Sequence, residues 1–333
     1  MQQLTRWKEQ QFHRIAKKKN KKQRVILDTD MGVDCDDAVA LAILLNKQIA
    51  KELEILCVTT STTRSGAVST VRAIAEYYGE SVTVGAMAKP ALGCDKLNNY
   101  SAAVMEKYGA PDGACEAVKL LRKTLAEAKE KITLVAIGPL VNLARLLKSE
   151  ADEISALGGV ELLERSVEEI FCMGGSFAQN FGENPEKVEP EWNILQDIKS
   201  AQYFTRRCPV KAVFVPWEAG AEVFTEMKNG ENPVWYSMRR YAESVGYEVN
   251  RFRRMSWDPV TCLCATENCE KYFDYSSSGK ITILEDGKSV FEEGEGNHRI
   301  LLLKKGFEKI SERVNAGIEP IRKESERLRR IMV

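Results

Sequence analysis

Short runs of β-branched and aliphatic residues alternate with longer amphipathic runs along most of this chain, and that alternation constrains the fold more than any other feature. RVILDTD (24–30), LEILCVTT (53–60), VTVGA (82–86), ITLVAIG (132–138), EEIFCMGG (168–175) and VKAVFVP (210–216) read as strands. DDAVALAILLNKQIA (36–50), GAVSTVRAIAEYYG (66–79), ACEAVKLLRKTLAEAKEK (114–131) and LVNLARLLKSE (140–150) carry the apolar spacing of helices. Strand, helix, strand in succession makes βαβ units, whose crossovers pack back onto the sheet; the expected architecture is α/β, a mainly parallel sheet covered on both faces. No Pro- or Ser-rich linker and no internal repeat divides the chain, so one domain is expected over 23–333, behind a basic arm, 1–22, that contains KKKNKK. From Lys304 onward the pattern predicts a charged helix on the surface.

Composition narrows the partners. With 333 residues and 44% apolar content the chain can bury a sizeable core. Lys plus Arg and Asp plus Glu are equal at 48 each, so the molecule exerts no long-range pull on nucleic acid or an anionic membrane, and a small polar substrate fits better. No apolar run approaches the ~20 residues of a membrane span, and the basic N-terminus lacks the apolar segment of a secretion signal; a cytoplasmic location is the expectation. Nine cysteines, scattered through apolar runs, read as reduced core thiols. Cys262, Cys264 and Cys269 lack a second CxxC pair and a nearby His, which favours packing over metal binding.

VILDTDMGVDCDD (25–37) places Asp28, Asp30, Asp34, Asp36 and Asp37 where the first strand ends, the rim on which parallel sheets carry their ligands. Asp36 and Asp37 precede a helix and offset the positive end of its dipole. That role does not extend to Asp28 and Asp30, since carboxylates gathered without a counter-charge resist ionisation. A bound cation removes the conflict, and an all-oxygen donor set selects Ca²⁺ or Mg²⁺.

An Asp-x-Asp at a strand end also occurs in phosphatases with an aspartyl nucleophile, but the Thr or Val typical two positions after the second Asp is Gly32 here. DTDMGVDCDDAVAL resembles instead the Asp-x-Asp-x-Gly and Asp-Asp-Ala signature of the nucleoside hydrolases, with Asp34 and Cys35 as a two-residue insertion. LVAIGPLVNLARLL (134–147), FCMGGSF with EWNILQD (191–197), VFVPWEAG and SWDP (256–259) resemble further family segments in the right order. The resemblance implies a single-domain, mainly parallel (mixed) Rossmann-like sheet flanked by helices.

It further implies Ca²⁺-dependent hydrolysis of the N-glycosidic bond of a ribonucleoside, giving free base and ribose, by a homodimer or homotetramer. The ion would be held by Asp30, Asp37, Asp258 and the main-chain carbonyl of Ile137, with Asp36 as general base and Asp28 orienting its neighbours. Glu191 and Asn193 match the ribose-binding Glu and Asn, and Asn180 or Asn184 lies near the place of another family Asn. Thr63 stands where the family has Asn, and Asn142 reads as scaffolding. Asp34 falls beside the ribose and could compete with Asp36 as base. Many members protonate the leaving base with a His directly before the last metal-binding Asp; here that position is Trp257, as in the purine-preferring branch, where an indole stacks on a protonated purine. The missing His and Asn motivate one alternative, a nucleoside- or ribose-binding protein with little catalytic activity.

Overall fold

The computed structural model describes residues 22–88, 100–178, 189–304 and 307–321. Strands β1 (Gln23–Thr29), β2 (Leu53–Thr60), β3 (Val84–Ala86), β4 (Cys115–Glu116), β5 (Ile132–Ala136), β6 (Val167–Met173) and β7 (Lys211–Val215) form the parallel part of one sheet. β8 (Phe224–Glu226) and β9 (Arg253–Met255) make a separate antiparallel ribbon. β10 (Phe273–Tyr275), β11 (Gly279–Ile283), β12 (Ser289–Glu293) and β13 (His298–Leu303) extend the main sheet, with β13 parallel to β7 and the other three antiparallel. The spatial order is β12-β11-β13-β7-β6-β5-β1-β2-β3-β4, with β10 against β13. The architecture is the expected mixed, mostly parallel α/β sheet.

Side chains alternate across β1, so Val25 and Leu27 enter one apolar layer and Ile26 the other. The first layer is closed by helices Asp36–Ile49, Ala67–Tyr77, Pro233–Ser244 and Trp257–Thr266, the second by Ala117–Glu127, Val141–Lys148 and Gly159–Ser166. Each fully buried Leu, Ile or Val in these layers contributes about 1.5–3 kcal/mol relative to exposure. Cys262, Cys264 and Cys269 are buried free thiols in the first layer, as the sequence implied.

Two details depart from the expectation. Cys115–Glu116 forms β4 where the helical run was expected to begin, because Glu116 adopts extended backbone and caps the helix by accepting from Lys119 N at 2.7 Å. The C-terminal helix Phe307–Ala316 lies where it was expected, packed on the surface through Ile310 and Val314. The β10–β13 extension was not foreseen. The basic arm lies outside the described residues, apart from Lys22.

The chain crosses over between β1–β2 and β5–β6, so the carboxyl ends of β1 and β5 border the crevice at which parallel sheets bind ligands. Asp28 pairs in register with Thr59 on one side and Ala136 on the other. Gly138 permits the two strand ends to touch: a Cβ there would come within 2.5 Å of Ser61 Oγ and 2.8 Å of Asp30 N.

Candidate active site

Asp30 directly follows β1 and opens a turn in which Val33 N donates to its carbonyl at 3.1 Å, Asp36 and Asp37 open the helix Asp36–Ile49, and Asp258 lies in the first turn of Trp257–Thr266. These two helices pack against each other, so two positive dipole ends share one group of carboxylates. All four are buried. Oxygens of Asp36, Asp37 and Asp258 lie within 4.8 Å of one another, a spacing suited to one cation. Asp30, expected as a ligand with Asp37 and Asp258, stands beside this trio, and Asp36 takes the closer place.

Burial, reinforced by mutual repulsion, pushes the carboxyls of Asp30, Asp37 and Asp258 well above the usual range. Asp36 is raised to about 7, first by burial and then by Asp34. Asp37 accepts a hydrogen bond from Thr29 Oγ1 through one oxygen, while its other oxygen is buried without a partner. Negative groups so placed need a cation, and an oxygen-only donor set fits a hard divalent ion.

Asp28 lies beneath this group. Its Oδ1 accepts from Thr59 Oγ1 and, at 2.8 Å, from Asn142 Nδ2, which also donates to Thr60 O at 2.9 Å. Burial raises Asp28 to about 7. The orienting and scaffolding roles expected of Asp28 and Asn142 agree with these contacts.

A cavity of about 320 Å³ opens over the carboxylates. Glu191 and Asn193 reach it from the far side. The Glu191 carboxylate caps the helix Trp192–Gln196, accepting from Asn193 N at 2.8 Å and from Ile194 N and Gly175 N at 3.2 Å each; burial raises it to about 7. Asn193 Nδ2 donates to the Ile137 carbonyl at 3.3 Å and to Met173 O at 3.4 Å, so it fixes the main-chain oxygen expected to face the metal. Thr63 is absent from the cavity lining among the described residues. Asn180 and Asn184 lie outside the described residues.

The remaining wall was not read from the sequence. Trp217 follows the end of β7, Tyr241 comes from Pro233–Ser244, and Arg254 stands on β9, in register with Thr225 of β8. Trp257 Nε1 donates to Trp217 O at 2.8 Å and the two indole centroids are 6.4 Å apart. The Arg254 guanidinium lies 5.0 Å from the Trp257 ring and 5.3 Å from that of Tyr241. It grips Asp34 with two nitrogens, Nε at 2.9 and 3.1 Å and Nη2 by a shorter contact. Asp34, expected as a possible competitor for the base role, is paired with Arg254 in this arrangement. A fixed cation over Trp257 also weakens the expectation that this indole favours a protonated purine. The rule that ligands gather beyond strand ends would have singled out Trp217; Arg254, one of three arginines in RFRR, carried no such signal.

Comparison with known proteins places this geometry in context. The inosine-uridine preferring nucleoside hydrolase family matches residues 25–311. The chain is 29% identical over 191 residues to the pyrimidine-specific ribonucleoside hydrolase RihA of Citrobacter koseri, a match over 54% of this chain and 55% of that one. The chain thus spans about half the length of the curated relatives it matches. Among solved structures, the inosine-uridine preferring nucleoside hydrolase from Bacillus anthracis superimposes with a TM-score of 0.61 at 17% identity, covering 89% of this chain and 99% of that one. The purine-preferring ribonucleoside hydrolase from Gardnerella vaginalis gives 0.62 at 15% identity, covering 89% and 98%. These two likenesses are of fold. With 25–311 matched, the chain belongs to the inosine-uridine preferring nucleoside hydrolase family.

Proposed function

We propose that this chain hydrolyses the N-glycosidic bond of a ribonucleoside, with Ca²⁺ as its ion and purine nucleosides favoured. The observation that carries the reading is the buried trio Asp36, Asp37 and Asp258 facing a nucleoside-sized cavity. Asp30, Asp37, Asp258 and the Ile137 carbonyl would hold the ion. When bound, it offsets the carboxylate charge and acidifies water at the site. Of the three indoles bordering the cavity, Trp217 and Trp257 lie together and offer flat apolar surface suited to a bicyclic base.

Asp36 is the general base. One of its oxygens accepts from Asp258 N at 3.1 Å, which fixes the carboxylate and leaves the other oxygen to take a proton from the attacking water. Direct attack by water on the anomeric carbon inverts it, and the neighbouring carboxylates stabilise the oxocarbenium-like sugar. Glu191 and Asn193 border the sugar, with Asn193 also steadying Ile137.

The test is a screen of purine and pyrimidine nucleosides at defined Ca²⁺, read as release of reducing sugar. Release from purine nucleosides that stops on chelation and returns with Ca²⁺ supports the reading. Tight nucleoside binding without release would make the chain a binding protein. Sedimentation of the purified chain tests the homodimer or homotetramer that accompanies this reading.

A further inference from the structure

Cleaving a bond to a nitrogen heterocycle leaves an electron pair on the base, and the site must either protonate it or stabilise its charge. Among the described residues that line the cavity there is no His, Lys or Cys. Trp257 Nε1 is already bonded to Trp217 O. Side-chain donors remain on Trp192, Asn193, Trp217, Tyr241 and Arg254, and among these described lining residues Arg254 alone carries a positive charge.

Arg254 is set up for this work. Asp34 engages Nε and Nη2, and the rings of Trp257 and Tyr241 lie against the guanidinium. Nη1 has no hydrogen-bond partner among the described residues, yet it is not one of the sealed, unpaired atoms of the interior. It therefore offers two N–H groups to open space in a side chain that cannot rotate freely. Asp34 also keeps the cation from pairing with Asp36, whose carboxylate would otherwise attract it. The insertion that brings in Asp34 thus supplies the anchor for a residue more than two hundred positions away.

We propose that Arg254, positioned by Asp34, stabilises the leaving group: Nη1 donates a hydrogen bond to an acceptor atom of the departing base, selecting N-ribosides whose heterocycle leaves as a delocalised anion. This rests on the hydrolase reading above. The bond from the anomeric carbon to nitrogen breaks and its electron pair goes to the heterocycle. Water oxygen bonds to the anomeric carbon and its proton passes to Asp36. Arg254 stays protonated throughout, because a guanidinium does not release its proton in this pH range. The base anion then takes a proton from solvent and Asp36 returns one to it, so one water is consumed and neutral base and ribose are formed.

The experiment compares kcat/KM for inosine, whose base is a poor leaving group, with that for 4-nitrophenyl β-ribofuranoside, whose phenolate departs unaided. Full-length protein is used at saturating Ca²⁺. Arg254→Gln is expected to lower the inosine value by about 10²–10³-fold, the usual cost of one such donor, and to change the nitrophenyl value far less. Arg254→Lys, which keeps the charge without the fork, gives a smaller selective loss and serves if the first variant does not fold. Asp34→Asn produces the same selective pattern, and Asp34→Glu restores part of it. Equal losses on both substrates overturn the proposal, as does a selective loss in Tyr241→Phe with none in Arg254→Gln. Wild-type cleavage of the nitrophenyl riboside but of no nucleoside overturns it and the nucleoside reading together, leaving a ribosidase of another class, whereas equal losses with inosine still cleaved sink this inference alone. Cleavage of neither removes that reading and this inference together.

Discussion

The two walls of the cavity are built in opposite ways. Asp30, Asp36, Asp37 and Asp258 are short side chains fixed at a strand end and at the first turns of two helices, where the backbone leaves them little freedom. Trp217, Tyr241 and Arg254 are long side chains from three separate segments, positioned by one another through ring contacts and the Asp34 ion pair. A wall tied to the sheet suits chemistry that tolerates little displacement, whereas a wall assembled from peripheral segments can change its choice of base without disturbing the fold.

The largest expected effect tests the first wall. Asp37→Ala should abolish detectable sugar release. It should also abolish the Ca²⁺-dependent rise in Tm, which for wild-type protein at 100 times Kd corresponds to about 2.7 kcal/mol. Differential scanning calorimetry with and without chelator reads this, and an undiminished shift would remove Asp37 from the ion. Next comes Asp36→Asn, expected to cut kcat by about 10²–10⁴-fold while the calcium-induced shift persists. If the shift disappears as well, the close trio of Asp36, Asp37 and Asp258 binds the ion as a unit and another group is the base.

The second wall should answer differently. Trp257→Ala is expected to raise KM for a purine nucleoside roughly 10-fold with a smaller change in kcat, because stacking is felt in ground and transition states alike. A fall confined to kcat would place this indole in the chemistry. The smallest effect on turnover belongs to neither wall and acts as a control. His298 on β13 is buried, accepts a hydrogen bond from Ile281 N at 2.9 Å, and has its pKa lowered to about 4 by burial. Its neutral form is favoured in the folded state, so the stability it lends is present above pH 6.5 and is lost as pH falls from there towards 4, by up to about 3 kcal/mol. A His298→Gln variant should show a flatter loss of Tm over that interval, without a change in base preference.

Legibility in the sequence followed the same division. β1, β2 and β5–β7 were readable because each is one contiguous apolar run, and the carboxylates were readable because four of the five crowd into positions directly after the first strand. Asp258 needed the family resemblance, since SWDP alone carries no charge pattern. The antiparallel extension was missed although β11 alternates buried and exposed residues along Gly279–Ile283, the signature of a sheet with one solvated face. Tyr241 and Arg254 could not be assigned from spacing, because their meeting with Asp34 depends on packing between segments far apart in the chain.

Trp257 and Asp258 are neighbours in sequence yet serve different walls, and the carbon under Trp257 packs so tightly on Gly220 that a Cβ there would approach it to 2.5 Å. Substitution at position 220 would therefore shift the indole and the adjacent carboxylate together. Gly220 is thus a point of shared constraint: a single added methyl there would reach both walls, whereas a change confined to the Trp257 side chain leaves the backbone that carries Asp258 in place.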